Sequence, residues 1–129
     1  MGFRVVQPTA FDWITRPHEP GEAARHVAEL NDAAGFAHTR ANVWRYEPGA
    51  TGRRHRHHSQ EETFLVLAGT LSMYVGDPPE RQDIATGGLI HIDAGTALQA
   101  ANHGDGELVV YVYGYPPESE HAELLDPVV

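Results

Sequence analysis

The apolar residues of this chain come in short bursts, and that spacing constrains the fold more than any other feature. Phe36–Tyr46, Thr63–Leu67, Thr70–Val75, Leu89–Ile92, Ala97–Ala101 and Glu107–Tyr113 are β-prone segments. Between them stand Pro48-Gly49, Ala68-Gly69, Gly76-Asp77-Pro78-Pro79, Asp93-Ala94-Gly95 and Asn102-His103-Gly104-Asp105-Gly106. Most of these bursts are too brief for the apolar stripe of a helix but long enough for a strand. Recurring at intervals of about ten residues, they predict an all-β sandwich or barrel. Ala68-Gly69 reads as a tight hairpin joining the segments on either side. The N-terminal third is different. Phe3–Val6 is a short β-prone stretch, and Gln7–Gly21, broken by Pro8, Pro17 and Pro20, reads as an extended arm anchored by Phe11 and Trp13. Glu22–Leu30 places Ala23, Val27 and Leu30 toward one face, which predicts one short helix. No repeat or linker interrupts the 129 residues, so one domain is expected: an arm over 1–35, a β core over 36–115 and a tail over 116–129.

Chemistry concentrates in Gly49–Gly69, GATGRRHRHHSQEETFLVLAG. His55 and His57 are two residues apart, so on an extended strand both imidazoles leave the same face. Glu62 opens the next apolar run, and a strand folding back would bring its carboxylate to them. Two neutral nitrogens and one anionic oxygen on one wall suit a divalent transition metal with open positions for water or substrate. The same residues also fit three solvated side chains in a polar loop.

The flanking glycines bear on that choice. Gly49, five residues, His55-x-His57, four residues, Glu62, six residues, Gly69 resembles the first motif of the cupin family. Within GGLIHIDAGTALQAAN, Gly87, Gly95 and Asn102 fall at the glycine, glycine and asparagine positions of the second motif. The resemblance covers about residues 41–113, and it departs from the family twice: Asp93 stands where a proline is usual, and Leu98 where the last metal histidine is. It implies a double-stranded β-helix (a jelly-roll barrel), one divalent metal held by His55, His57 and Glu62, and a homodimer. The six-residue interval to Gly69 selects Glu62 over Glu61. Imidazole and carboxylate accept Fe, Mn, Zn or Ni alike.

Composition removes several function classes. With no cysteine, thiol nucleophiles, disulfides, Fe–S clusters and thiolate zinc sites are excluded. All nine formal cations are arginine, which excludes Schiff-base and pyridoxal phosphate chemistry. A net charge of −9 argues against a nucleic-acid partner. No apolar run approaches the ~20 residues of a membrane span, and MGFRVVQPTAFDW has no signal-peptide core, so a cytoplasmic location is expected.

Other residues carry weaker signals. His58 follows His57 and faces away. His91 interrupts an apolar strand and reads either as a hydrogen-bonded core histidine or as a replacement ligand. His103, in its turn, reads as chemically idle. Arg53, Arg54 and Arg56 form a basic cluster that could attract an anion, though Arg56 points away from the imidazoles. In the last strand Val109, Tyr111 and Tyr113 share a face and line either a cavity or an interface. Thr63–Leu67 is apolar on both faces, so its outer face meets a second chain or the N-terminal arm.

Three functions follow. Two histidines and one carboxylate with three open positions suit an oxygenase-like enzyme that uses Fe(II) on a small organic molecule. Loss of the last histidine favours instead a ligand-binding cupin with weak or absent metal. The third is a metal-dependent isomerase, epimerase or lyase, for which no general base is obvious.

Overall fold

The computed structural model describes residues 2–118 and 121–129. Its strands form two antiparallel sheets. The first has the order β1 (Trp13–Thr15), β2 (Arg25–Glu29), β3 (Arg40–Tyr46), β10 (Leu108–Tyr115), β5 (Glu61–Ala68), β8 (Leu89–Ile92). The second runs β11 (Glu123–Leu124), β4 (His55–Arg56), β9 (Leu98–Ala101), β6 (Leu71–Val75), β7 (Glu80–Ile84). Apart from a 3-10 turn at Pro8–Ala10, the helical content of the described residues is a single turn, α1 (Asn31–Ala34), closed by Gly35 in the left-handed conformation. This is the double-stranded β-helix. No helix among the described residues is long and apolar enough to cross a membrane.

Alternation along the strands builds the interior. Phe64 and Val66 on β5, Leu108, Val110 and Val112 on β10, Leu71 and Met73 on β6, and Leu98 and Ala100 on β9 meet between the sheets as the main core. A second cluster lies outside it, where Leu30, Ala41 and Val43 are covered by Phe11, Trp13, Val109 and Tyr111. The aromatic anchor of the arm thus covers part of its own sheet, and Tyr111 and Tyr113 face outward rather than into the cavity. Coverage stops short of β5 and β8, where Leu67 and Leu89 remain 50% and 60% exposed.

Three local expectations are corrected. Glu22–Leu30 contains strand β2, not a helix: Arg25–Glu29 pairs with β3 on one side, and His26, Val27 and Ala28 pair with β1 on the other. Two ladders outweigh the modest helix propensity of EAARHVAEL, and the alternation Arg25, Val27, Glu29 fits a strand equally well. Ala68-Gly69 does not close a hairpin. It carries the chain from one sheet to the other, since β5 pairs with β10 and β8 while β6 pairs with β7 and β9. Gly69 has φ +79°, and a Cβ there would stand 2.8 Å from the Glu107 carbonyl oxygen, so only glycine passes this crossing. Phe3–Val6 finds no ladder partner and forms no strand. One strand, β7 (ERQDI), had little apolar signal because it is an exposed edge on which only Ile84 packs against the core.

The second glycine motif works as a frame. Asn102, 1% exposed, donates to the carbonyls of Tyr46 and Gly106, both at 2.9 Å, and accepts from Gly104 N–H at 3.0 Å. Its own carbonyl accepts from Gly49 N–H at 2.9 Å, and Gly95 N–H donates to the His57 carbonyl at 2.7 Å. Those bonds tie the two motifs together and hold the backbone that carries the histidines.

Candidate metal centre

The short strand β4 carries His55 and ends just before His57, so both rings project from one side, 5.1 Å apart between centroids. Glu62 arrives from the other sheet, on the inward face of β5 with Phe64. One ligand atom from each of the three residues lies within 4.8 Å of the others. The expected trio is therefore brought together.

Hydrogen bonds on the far side of each ring set which nitrogen faces inward. His55 Nδ1 lies 2.9 Å from the Arg53 carbonyl oxygen, which can only accept, so Nδ1 carries the proton and Nε2 the lone pair. His57 Nδ1 lies 3.0 Å from a carboxylate oxygen of Glu118, with the same consequence. Both Nε2 atoms then turn toward Glu62 Oε1, at 3.7 Å from His55 and 2.9 Å from His57. Neither contact is aligned as a hydrogen bond, and Glu62 Oε1 is a buried oxygen without a donor. Two lone pairs and an orphaned anionic oxygen converging on one point are what a divalent cation satisfies. The residues fit the metal.

Glu118 is the participant that sequence reasoning missed. It lies in the tail, and its carboxylate also accepts from the backbone N–H of Ser59, from Ser59 Oγ at 3.1 Å and from Gln60 N–H at 2.9 Å. Burial pushes this carboxyl up, but those donors and His57 outweigh it and hold it at about 2. Burial likewise pushes Glu62 up, and the two imidazoles bring it down to about 2. For His57, burial lowers the pKa while Glu62 and Glu118 raise it, with a net upward shift. Without metal, the two flanking carboxylates thus favour a second proton on His57, at the Nε2 that a metal would otherwise take.

The remaining expectations sort cleanly. Leu98 is 2% exposed, pairs with His55 across β4 and β9, and lines the cavity beside the imidazoles. His91 does not join the centre. Its Nδ1 meets Thr63 Oγ1 at 2.7 Å, on the outer face. His58 and Glu61 are exposed. His103 meets the Tyr74 hydroxyl at 2.9 Å. Arg56 pairs with Glu123 at 2.9 Å, and Arg54 is held by the carbonyls of Asp126 and Gly76, both at 3.2 Å. Of that basic cluster, Arg53 alone lines the cavity.

The centre opens on a cavity of about 460 Å³ between the sheets, within the range of small-molecule sites. Trp44, Phe64 and Val112 supply apolar wall. Tyr46 also lines it, and burial raises its phenol pKa, so the hydroxyl stays protonated at neutral pH. His121 reaches the cavity from the tail.

Comparison with known proteins agrees with the fold. A sugar phosphate isomerase of the cupin superfamily from Silicibacter pomeroyi is 23% identical and superposes with a TM-score of 0.74, over 88% of this chain and 76% of that one. The polyketide cyclase RemF from Streptomyces resistomycificus is 18% identical, with a TM-score of 0.79 over 96% and 86% of the two chains. A Klebsiella pneumoniae protein with a double-stranded β-helix domain is 21% identical, with a TM-score of 0.71 over 96% and 98%. No curated protein matches in sequence. The cupin domain family matches residues 42–114, the stretch that holds both glycine motifs, all three converging side chains and Leu98, and the chain is a member of that family.

Proposed function

We propose that this protein is a mononuclear metal-dependent enzyme, oxygenase-like, acting on a small organic molecule, with His55, His57 and Glu62 holding one Fe, Mn, Zn or Ni ion. The observation that carries this reading is the orphaned Glu62 Oε1 facing two inward Nε2 atoms on the wall of a cavity large enough for a substrate. The chemistry supplied by such an ion is Lewis acidity and, for iron, activation of oxygen. The chain's own residues do the rest. The Arg53 carbonyl and Glu118 keep the imidazoles in their ligating tautomers. Leu98 keeps one neighbouring place free of a donor. Trp44, Phe64 and Val112 limit water around the reacting atoms, and the neutral Tyr46 hydroxyl can donate to a substrate oxygen.

Leu98 favours a second reading, a ligand-binding cupin that does without the metal, because affinity falls with each missing donor. The isomerase, epimerase or lyase reading gains candidate bases, His121 and Glu29, among the described lining residues. A cytoplasmic location and a homodimer belong to the proposal as well. The uncovered outer face around Leu67, Leu89 and Tyr113 supports the dimer.

Metal analysis after reconstitution with iron, manganese, nickel and zinc in turn is the test. One ion per chain is expected in the wild type and a clear loss in His57→Ala. Sub-stoichiometric metal throughout would refute the reading, and ligand binding retained in metal-free protein would favour the binding module.

A further inference from the structure

The nine arginines divide in a way that the metal centre does not explain. Arg45, Arg54, Arg56 and Arg81 each have a carboxylate within 4.0 Å. Among the described residues, Arg4, Arg16, Arg25, Arg40 and Arg53 have none, and all of these but the N-terminal Arg4 line the cavity. In a chain of net charge −9, carboxylates are plentiful, so four unpaired guanidinium groups around one chamber are a deliberate local reversal of sign. The acidic lining residues do not cancel them. Glu62 and Glu118 are engaged with the histidines, and Glu29, though on the same face of β2 as Arg25, has no arginine within 4.0 Å.

Two of the four are built as a pair. The β1–β2 ladder matches Thr15 with His26, and the Arg16 N–H donates to the Arg25 carbonyl at 2.9 Å, so Arg16 and Arg25 stand directly opposite. Residues so placed project from the same face, and like charges there repel. Both are half-buried, which worsens the repulsion. The Arg25 guanidinium lies over the Trp44 ring, 5.2 Å from its centroid, and 5.8 Å from that of Tyr46. Aromatic contact fixes the position of the cation without neutralising it. An incoming anion would relieve the repulsion and take two planar donor forks at once.

We propose that the cavity binds a small organic anion, its carboxylate or phosphate held by Arg16 and Arg25 while the rest of the molecule faces the His55–His57–Glu62 centre, with Arg40 and Arg53 adding attraction from their exposed positions. This rests on the metal-centred reading for the second half of its statement, and it specifies the substrate class of that site.

The test titrates metal-loaded full-length protein with inorganic phosphate, with malonate and, as a neutral control, with glycerol, at constant ionic strength by calorimetry. At least one anion should bind more tightly than glycerol, and the tighter of the two separates phosphate from carboxylate as the natural head group. Arg16→Gln and Arg25→Gln should each weaken that anion about tenfold or more, with metal content and circular dichroism unchanged. Arg25→Lys should recover only part of the loss, because it keeps the charge but not the fork. Should Arg25→Gln fail to fold, Arg16→Gln on the edge strand decides alone. Anions binding no better than glycerol, or unaltered by the arginine variants, would overturn the proposal. So would binding that disappears with the metal but not with the arginines. Arginine-dependent anion binding by a chain that takes up no metal would uphold the anion site and refute the catalytic reading, so the two failures are distinguishable.

Discussion

Replacing Glu118 by glutamine should cost metal affinity through the tautomer of His57, at a residue that touches no metal. The carboxylate accepts from four groups at once: His57 Nδ1, the N–H groups of Ser59 and Gln60, and Ser59 Oγ. A glutamine has one oxygen and one amide nitrogen, and the two ends cannot both accept. Its oxygen is retained by the two backbone N–H groups, which have no other acceptor there and are costly to leave unpaired. The amide NH₂ then faces His57 Nδ1, which must give up its proton and become the acceptor. The proton moves to Nε2, the atom that turns toward Glu62, and converts a ligand into a donor. Loss of such a supporting carboxylate weakens metal binding by about 10–100-fold, or roughly 1.4–2.8 kcal/mol. Chelator competition measures the affinity, and nitrogen NMR of the imidazole reports the tautomer directly. Affinity within about twofold of wild type in a folded Glu118→Gln protein, or a proton still on Nδ1, would refute this account of the centre.

Leu98→His should restore a nitrogen donor beside His55 and tighten metal binding by about tenfold or more, while the metal-free variant loses ~1–3 kcal/mol from a buried imidazole without a partner. Unchanged affinity would remove Leu98 from the ligand position. In metal-free protein, Glu62 and Glu118 both titrate at about 2, below their ordinary 4.5, so their stabilisation is present above pH 4.5 and is lost as pH falls toward 2. His57 has the opposite sign, since its raised pKa adds stability below the ordinary value and gives it up as pH rises through the shifted one. Calorimetric Tm against pH should therefore peak in the mildly acid range, and a flat profile would contradict it. Sedimentation at micromolar concentration should show a dimer that Leu89→Glu weakens, whereas a wild-type monomer would leave the outer face of β5 and β8 without a partner.

The barrel was legible because its central strands are short, apolar and bounded by glycine, proline or Asx turns, and because the two-residue spacing of His55 and His57 is already the period of a strand. What failed shares one physical cause. A strand is made by its partners, and pairing across the chain leaves no local trace. Nothing in Glu22–Leu30 reports the two ladders waiting for it, and nothing in ERQDI reports the β6 edge it joins. The Ala68-Gly69 turn has the residues of a hairpin, and only the proximity of Glu107 shows why its glycine serves a crossing between sheets.

The same reasoning separates the two halves of the candidate site. His55, His57 and Glu62 lie within eight residues, so strand geometry and one reversal of the chain suffice to bring them together. Glu118 is 61 residues from His57, and Arg16 and Arg25 reach the cavity through β1 and β2, which the core motif does not contain. A tail glutamate and two N-terminal arginines look like solvated charge in a sequence. They acquire chemistry only when the fold denies them water and ordinary partners: Glu118 is 4% exposed with four donors around it, and the arginines have no carboxylate within reach among the described residues. Here the candidate ligands lie on and beside the motif strands, so the elements outside the motif are where one member of the fold can come to differ from another in the substrate it admits. The position of the charged groups on β1, β2 and the tail is thus the more informative half of the site for specificity, and the half to mutate first.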